Sequence, residues 1–267
     1  MLAPDRLTKY DANAPTDTAT ATFGLGCFWG PDAAAGAIDG VVRTRVGYAG
    51  GTTPDPTYEA TGDHTEVVQI EYDPETLSFG DLLEWALTEH HPLTQPDSRQ
   101  YQNVVFTETP AQREQLRAFF DASEWDREVI TTRLEPLDGF TLAEDYHQKF
   151  QLRGTRWITD AFEEAGYDTA AVRESPAAAK LNAHVAGHDV AGRFLDEPYG
   201  SDGSEMSDGA RTRQVGSRDA RPVHRVRVLP SLRRVFAAGQ QPPERDKHDE
   251  EHGRTLQELL APGFRLR

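Results

Sequence analysis

Residues 20–38 read TATFGLGCFWGPDAAAGAI and contain a change from one kind of secondary structure to another. The β-branched and aromatic content of residues 20–26 predicts a strand that ends near Leu25. The alanine-rich run from Asp32 to Ile38 predicts the helix that follows. Cys27 lies between them, followed by Phe28 and Trp29. The sequence therefore places a thiol at or just before the N-terminus of a helix.

Cys27 is the single cysteine of the chain. A lone cysteine forms no internal disulfide and does not supply the several thiolates that zinc or iron–sulfur sites usually need. It is therefore either a buried, inert thiol or a reactive one, since free cysteine is often fully buried. The helix N-terminus favours the reactive form, because backbone N–H groups and the helix dipole stabilise a thiolate.

Composition excludes several classes of partner. The chain has 267 residues and a formal net charge of −16. Nucleic acids and anionic membranes demand basic surfaces, so neither is expected as a partner. No apolar run approaches the ~20 residues of a membrane span, and the acidic first residues lack the order of a signal peptide. We expect a cytoplasmic protein, where a single thiol stays reduced, and a monomer.

The pattern of elements predicts an α+β fold. Helices alternate with strands but without strict βαβ periodicity, which indicates a two-layer sandwich with a mixed sheet, a ferredoxin-like core and a C-terminal helical extension. The predicted strands are 20–26, 44–48, 66–72, 103–107 and 129–134. The predicted helices are 32–38, 79–90, 110–123, 143–150 and 157–165, with Ser78 as an N-cap and Pro110 at a first helical position.

Four segments are predicted along the chain. Residues 1–20 are polar and are expected to form a flexible arm, followed by a catalytic domain over 21–155. Residues 156–200 form the helical extension. Residues 201–267 are rich in Gly, Ser, Arg and Pro, carry 13 basic and 10 acidic residues, and are expected to be a disordered tail.

Six short motifs, in order, carry a resemblance to a known family. They are Gly26–Gly30 (GCFWG), Gly47–Gly51 (GYAGG), Pro56–Tyr58 (PTY), Gly62–Val68 (GDHTEVV), Arg99–Tyr101 (RQY) and Ala143–Gln148 (AEDYHQ). Together they resemble the A-type peptide methionine-sulfoxide reductases, most closely the shorter members. The resemblance continues more faintly through Arg173 to His188 and stops by about residue 197.

The resemblance implies a thiol chemistry. Cys27 supplies a thiolate that attacks the sulfoxide sulfur, and Glu66 is the acid, because a carboxyl in a partly apolar pocket holds its proton near neutral pH. Tyr58 and Tyr101 donate hydrogen bonds to the sulfoxide oxygen. Phe28 and Trp29 form an aromatic wall for the S-methyl group, which selects the S epimer at sulfur. The implied substrates are free methionine sulfoxide and proteins that contain it.

The chain departs from the family pattern in three places. Asp97 lies in a segment one residue shorter than the family's Asn-Asp-His-Gly segment, so its role in the site is left open. Asp32 replaces the usual glutamate after the GCFWG pentapeptide and is expected to be tied to the local fold. No second cysteine exists to resolve a sulfenic acid on Cys27, so regeneration requires an external thiol or thioredoxin.

Alternative functions remain open at this level. A cysteine hydrolase or acyltransferase would need a histidine base near Cys27, for which His64 and His147 are the candidates. A non-catalytic binding module would use the basic tail to dock a partner. Two histidine pairs four residues apart, 184/188 and 248/252, lack the further ligands of a metal site, so no metal and no bound cofactor are expected.

Overall fold

A computed structural model describes residues 2–123 and 125–190 of the chain. The described residues form a six-stranded sheet with the order β5-β4-β1-β3-β2-β6. Neighbouring strands are antiparallel except β4 and β5, which are parallel, so the sheet is mixed. The strands are β1 Ala19–Leu25, β2 Val41–Ala49, β3 Thr65–Tyr72, β4 Asn103–Thr107, β5 Arg133–Pro136 and β6 Phe140–Leu142.

Eight α-helices accompany this sheet within the described residues, which confirms the α+β class. They are α1 Pro4–Ala12, α2 Trp29–Ala37, α3 Phe79–Glu89, α4 Pro110–Ala122, α5 Phe150–Arg153, α6 Arg156–Glu164, α7 Thr169–Glu174 and α8 Pro176–Val185. Two 3₁₀ turns, Arg99–Tyr101 and Asp145–His147, interrupt the loops. None of the described helices is both long and apolar enough to cross a lipid bilayer.

Period-two alternation in the central strands builds the main core. Phe23 of β1 lies opposite Val68 of β3 and Val105 of β4, so these side chains share one face of the sheet. Helices α3 and α4 contribute Leu82, Leu83 and Leu116 to the same buried cluster. The expected helix starts are confirmed, because Ser78 and Asp81 form a capping box at α3 and Pro110 opens α4.

The prediction of a flexible arm over residues 1–20 is wrong for its first part. Residues Pro4–Ala12 form α1, and β1 begins at Ala19. Leu2 and Leu7 are buried in a second cluster that includes residues of α5, α6 and α8. The polar composition did not indicate this helix, because its contacts depend on distant partners: Leu7 and Tyr10 pack on the second cluster, and Asp11 accepts hydrogen bonds from Tyr167 and Ala177.

Two further sequence predictions differ from the structure. The strand expected at 129–134 lies later, at Arg133–Pro136, where it pairs in parallel with β4. The helix expected at 143–150 is replaced by a 3₁₀ turn and by Lys149 in the left-handed region, with φ +52°. That backbone conformation breaks the helix and directs the Lys149 side chain into the interior.

A buried charged network fastens α2 to the elements around it. The Lys149 ammonium donates to the Thr44 carbonyl at 2.5 Å and to Asp32 Oδ1 at 3.3 Å. Asp32 also accepts hydrogen bonds from Thr44 Oγ1 and Asn182 Nδ2. Because all four side chains are buried, the charge of Asp32 is neutralised in place. The expectation that Asp32 is tied to the local fold is confirmed.

Replacing Asp32 by alanine is expected to lower the free energy of unfolding by about 3–5 kcal/mol, because it leaves the Lys149 charge buried and unpaired. Urea denaturation measures this change. The matched control is Asp5→Ala, which removes a pair with Lys9 that lies on the surface and is expected to cost less than about 1 kcal/mol. Equal losses in the two variants would contradict the network's role.

The sheet topology brings several loops to one edge. The C-terminal ends of β1 and β2 lie beside the N-terminal ends of β3 and β4, because these strands alternate in direction. The residues that follow β1, the loop between β2 and β3, and the 3₁₀ turn before β4 therefore meet at that edge. These are the segments that carry Cys27, Tyr58 and Tyr101.

Candidate active site

Cys27 is held at the turn from β1 into α2. Gly26 has a φ of +82°, a conformation that favours glycine, and it turns the chain out of the strand. Phe28 is the N-cap residue of α2, so Cys27 immediately precedes the helix N-terminus. Its side chain is half-buried. The sequence-based placement of this thiol is confirmed.

Glu66 lies beside the cysteine at the start of β3. Its side chain is fully buried, and its Oε2 accepts a hydrogen bond of 3.2 Å from the peptide N–H that joins Cys27 to Phe28. Gln100 Nε2 donates to Oε1 at 2.8 Å. Burial raises the pKa of Glu66 to about 7, and the two donors lower it by less than burial raises it. Glu66 can therefore hold a proton near neutral pH.

Tyr58 and Tyr101 meet at the same place. The pKa of Tyr101 is raised, first by burial and then by the charge of Glu66, by a hydrogen bond between the two tyrosine side chains, and by Cys27. The hydrogen bond places the two phenols in contact, and the N–H of Phe28, the residue after Cys27, donates to Glu66, so the phenols, the carboxyl and the thiol form one cluster at this edge of the sheet. The raised pKa keeps the Tyr101 phenol protonated and able to donate a hydrogen bond.

The loop that carries Tyr58 is fixed by polar contacts. Asp63 accepts hydrogen bonds from the backbone N–H groups of Thr52 and Thr53, which holds the Asp63 pKa well below its usual range. Arg99 donates to the carbonyls of Asp63 and Gly50, at 3.1 and 2.9 Å. Because Arg99 belongs to the same 3₁₀ turn as Tyr101, these bonds tie the positions of the two tyrosines together.

Glu144 fixes the part of this loop that contains Tyr58. Its Oε1 accepts a hydrogen bond of 3.0 Å from the Tyr58 backbone N–H, and its Oε2 accepts one of 2.8 Å from the Tyr48 hydroxyl. Tyr48 lies directly opposite Glu66 in the sheet register. The carboxylate of Glu144 thus joins the Tyr58 loop to the end of β2.

The two aromatic residues that follow the cysteine differ in burial: Phe28 lies in the interior, and Trp29 is partly exposed. Phe28 is 1 % exposed and contacts Tyr48 and His147, with ring-centre distances of 6.0 and 5.0 Å. Trp29 is half-buried, and its indole stacks on Phe150 at 3.7 Å with the ring planes 5° apart. Both residues belong to a cluster with Tyr58. The less buried ring, Trp29, is the one that offers surface to a ligand.

Asp97 is not brought to this cluster by any contact that the structure describes. It is exposed in the loop before the 3₁₀ turn, whereas the groups that shift the pKa values of Glu66 and Tyr101 are other residues. The donor to Glu66 from this segment is Gln100 instead. Whether Asp97 contributes to the site stays an open sequence prediction.

The sequence motifs contain Gln100 and Glu144 but predict no role for them, and they predict His147 only as the base of the hydrolase alternative. Phe150 was not singled out. Their contacts run over long sequence separations, as between Trp29 and Phe150, and no local spacing encodes such pairs. Among the described residues, no group of three or more His, Cys, Asp or Glu side chains is arranged to hold a metal ion.

Comparison with known proteins decides the family. The family model described as peptide methionine sulfoxide reductase matches residues 19–173. The chain belongs to this family. The match covers the sheet and every residue of the cluster described above, so the sequence-based resemblance is confirmed and the protein is an enzyme that reduces methionine sulfoxide.

Two curated relatives agree with this assignment. The chain is 42% identical over 173 residues to a peptide methionine sulfoxide reductase of Drosophila melanogaster, which covers 63% of this chain and 69% of that protein. It is 44% identical over 142 residues to a relative of the same name from Methanoculleus marisnigri, covering 49% of this chain and 87% of that one. A solved structure of methionine sulfoxide reductase A from Corynebacterium diphtheriae shares 32% identity over 53% of this chain and 77% of that chain, with a TM-score of 0.46.

Proposed function

We propose that this enzyme reduces the S epimer of methionine sulfoxide, free or within proteins, by attack of the Cys27 thiolate on the sulfoxide sulfur. The observation that carries the proposal is the position of Glu66, a buried carboxyl with a pKa of about 7, on the peptide N–H next to Cys27. A sulfoxide sulfur is a poor electrophile unless its oxygen receives a proton or strong hydrogen bonds. In this cluster Glu66 supplies the proton, and Tyr58 and Tyr101 supply the hydrogen bonds.

The side chains of this cluster act together to move the oxygen from the substrate sulfur to Cys27. The electron pair of the Cys27 thiolate forms a bond to sulfur while Glu66 transfers its proton to the sulfoxide oxygen, and Tyr58 and Tyr101 donate hydrogen bonds to the same atom. The resulting hydroxyl group then moves from the substrate sulfur to Cys27 Sγ: the S–O and Sγ–S bonds break, a Sγ–O bond forms, and the electron pair of the Sγ–S bond stays on the substrate sulfur. The substrate is reduced to methionine, and Cys27 is oxidised to a sulfenic acid.

The aromatic wall accounts for selection of one epimer. The S-methyl group of the substrate packs against Trp29, with Phe28 behind it, through apolar and sulfur–aromatic contacts of ~0.3–1.5 kcal/mol. The oxygen binds on the side of Tyr58, Tyr101 and Glu66. Because the methyl group and the oxygen have separate binding sites, only one epimer presents its sulfur to Cys27.

An external thiol completes the cycle. One thiol condenses with the sulfenic acid, releasing water and forming a mixed disulfide, and a second thiol reduces it to Cys27 and releases an external disulfide. The chain contains no second cysteine to do this. A small thiol or thioredoxin supplies the two electrons, no bound cofactor is needed, and a reducing cytoplasm suits the cycle. We further propose that the enzyme is a monomer.

No described contact favours the hydrolase alternative. His147 Nδ1 accepts a hydrogen bond from the Trp29 indole, and His64 Nε2 lies 2.8 Å from the Thr53 carbonyl oxygen. Each candidate base already has a structural partner on one ring nitrogen. The acid beside the cysteine is Glu66, which suits sulfoxide reduction rather than acyl transfer.

The proposed function is tested by the stoichiometry of reduction. Without any reductant, the protein is expected to convert about one S-sulfoxide per molecule and to acquire one oxygen on Cys27, because the sulfenic acid has no partner in the chain. With a dithiol, turnover becomes continuous. Release of methionine, measured by chromatography, and the mass of the protein check both results. Several turnovers without reductant, or none with it, would overturn the proposal.

A more specific fold can also be proposed for the α+β domain. We propose that β1-α2-β2-β3-α3-β4 is a ferredoxin-like core, which the order β4-β1-β3-β2 supports. Helices α6–α8 would be the extension predicted for 156–200, of which the part beyond residue 190 lies outside the described residues. The predicted tail, 201–267, lies outside them as well.

A further inference from the structure

Arg133 lies outside the cluster around Cys27, and the proposed reaction gives it no role. It begins β5, and its side chain is 15 % exposed. Glu135, two residues later on the same face of the strand, accepts hydrogen bonds from Arg133 Nε at 2.7 Å and from Nη2 at 2.8 Å. This bidentate pair neutralises the guanidinium and fixes its plane. The third nitrogen, Nη1, donates to other residues.

The Nη1 group of Arg133 donates two hydrogen bonds to residues at the 3₁₀ turn before β4. Both bonds are 3.1 Å long, one to Thr65 Oγ1 and one to Gln102 Oε1. Thr65 Oγ1 in turn donates to the Arg99 carbonyl oxygen at 3.0 Å. Arg99 begins the turn and Gln102 directly follows it, so one guanidinium holds both ends of the turn.

The direction of each bond in this chain is fixed by chemistry. Thr65 is fully buried at the start of β3. Its single hydroxyl proton goes to the Arg99 carbonyl, which accepts only, and its oxygen accepts from Arg133, which donates only. Because the bonds run in one direction through a low-dielectric interior, each strengthens the next. Loss of any member therefore loosens the turn.

The turn carries two residues of the proposed site. Gln100 Nε2 donates to Glu66 Oε1 at 2.8 Å, and this bond lowers the pKa of Glu66 against the larger effect of burial. Tyr101 carries the phenol that would donate to the sulfoxide oxygen. A 3₁₀ turn of three residues is a weak element by itself. The positions of Gln100 and Tyr101 therefore depend on what holds the ends of the turn.

We propose that Arg133 is a positioning residue, which holds the 3₁₀ turn so that Gln100 contacts Glu66 and Tyr101 faces the sulfoxide oxygen. It acts through the turn rather than on the reacting atoms. The inference rests on the proposed function, because it takes Glu66 as the acid and Tyr101 as a donor. When the hold is lost, Gln100 moves away from Glu66 and the ionised carboxyl loses a donor.

The test is the pH at which activity falls on the alkaline side. Loss of the bond from Gln100 favours the protonated form of Glu66, so the Glu66 pKa rises and the fall moves upward. For Arg133→Leu the shift is expected to be about 0.5–1 pH unit, with kcat/KM about 10-fold lower. The rates are measured with the S and R epimers of a methionine-sulfoxide amide and excess dithiol. Titration of the Glu66 carboxyl, followed by NMR, gives the same comparison without turnover.

A matched pair of variants at Thr65 tests the chain of bonds without removing a charge. Thr65→Val has nearly the same shape but no hydroxyl, so it cuts the link from Arg133 to the Arg99 carbonyl. It should move the alkaline fall upward by about 0.5 pH unit, and Thr65→Ser, which retains the hydroxyl, should restore it to within about 0.2 unit. The titratable groups that interact with Glu66 are unchanged in both variants; they are Glu144, Tyr48 and Tyr101.

The Gln100→Leu background separates position from charge. If Arg133 acts by holding Gln100, adding Arg133→Leu there should move the fall by less than about 0.2 pH unit more. A direct effect of the arginine charge on Glu66 would persist in that background. Arg45 gives the matched control, because it is 18 % exposed and pairs with Glu174 instead of the turn. Arg45→Leu should lower the stability but leave the alkaline fall in place.

Three results would overturn the inference. They are an unchanged fall in Arg133→Leu or in Thr65→Val, a shift of full size in the Gln100→Leu background, and an equal shift in Arg45→Leu. If Arg133→Leu does not fold, the Val and Ser variants of Thr65 decide alone. An unmodified enzyme that reduces neither epimer would instead overturn the proposed function, and the NMR titration would still decide whether Arg133 and Thr65 act on Glu66.

Discussion

Replacing Cys27 by serine is expected to reduce kcat/KM for the S-sulfoxide by about 10⁴-fold or more, to the level of the background reaction. A hydroxyl at this position is a far weaker nucleophile than a thiolate. The chain has no other cysteine to take over the attack. Methionine formation in the presence of excess dithiol measures the effect.

The fold of this variant is expected to be unchanged. Cys27 is only half-buried, and serine is close to it in size, so the free energy of unfolding should change by less than about 1 kcal/mol. The mass of the serine variant should also stay constant after incubation with sulfoxide. Retention of more than a few per cent of the activity would show that oxygen is transferred to another group.

Replacing Glu66 by glutamine is expected to lower kcat/KM by about 10²- to 10⁴-fold, the usual contribution of a general acid. The amide still donates a hydrogen bond to the sulfoxide oxygen but cannot transfer a proton to it. Both oxygens of Glu66 accept N–H donors, from Phe28 and Gln100. An amide leaves one of these donors unsatisfied, so a loss of stability of about 1–3 kcal/mol is expected as well.

The pH profile separates the loss of the acid from this loss of stability. In the unmodified enzyme, kcat/KM should fall as pH rises through the Glu66 pKa of about 7, because the carboxyl then loses the proton that it donates. The glutamine variant should lack this alkaline fall. In Gln100→Leu a donor that lowers the pKa is removed, so the fall should move upward by about 1 pH unit.

Two controls support this reading of the profile. Glu59→Gln removes one exposed negative charge next to Tyr58 and should leave both the rate and the alkaline fall in place. Gln69→Leu makes the same change as Gln100→Leu on β3, where the side chain points away from the face that carries Glu66. A downward shift in Gln100→Leu, or an unchanged fall in Glu66→Gln, would contradict the assignment of Glu66 as the acid.

The central elements of the fold could be predicted from local patterns. The strand 103–107 and the starts of α3 and α4 agree with the sequence prediction, because β-branched runs, an N-cap serine and an N1 proline act over a few residues. The helix over Pro4–Ala12 was missed because its stability depends on distant partners. Leu7 is buried among residues more than 140 positions later in the chain.

The site residues, like the elements of the fold, could be predicted only where local motifs identify them. The motifs named the thiol, the carboxyl, the two tyrosines and the aromatic pair, and the structure brings these residues to one edge of the sheet. The contacts of Gln100 with Glu66 and of His147 with Trp29 could not be predicted. A hydrogen bond from Trp29 to His147 crosses 118 residues of sequence, and only the packing of the 3₁₀ turn against α2 creates it.

The sequence by itself determined the motifs of the family and the presence of a single thiol, from which the need for an external reductant is proposed. The single thiol at a strand-to-helix turn, and the lack of a second one, follow from residue identity alone. Only the tertiary structure decided that burial raises the Glu66 pKa to about 7 and that the Trp29 indole stacks on Phe150 and donates to His147. The reason is physical: a pKa and a side-chain orientation depend on burial and on neighbouring groups, and both arise from contacts between distant segments.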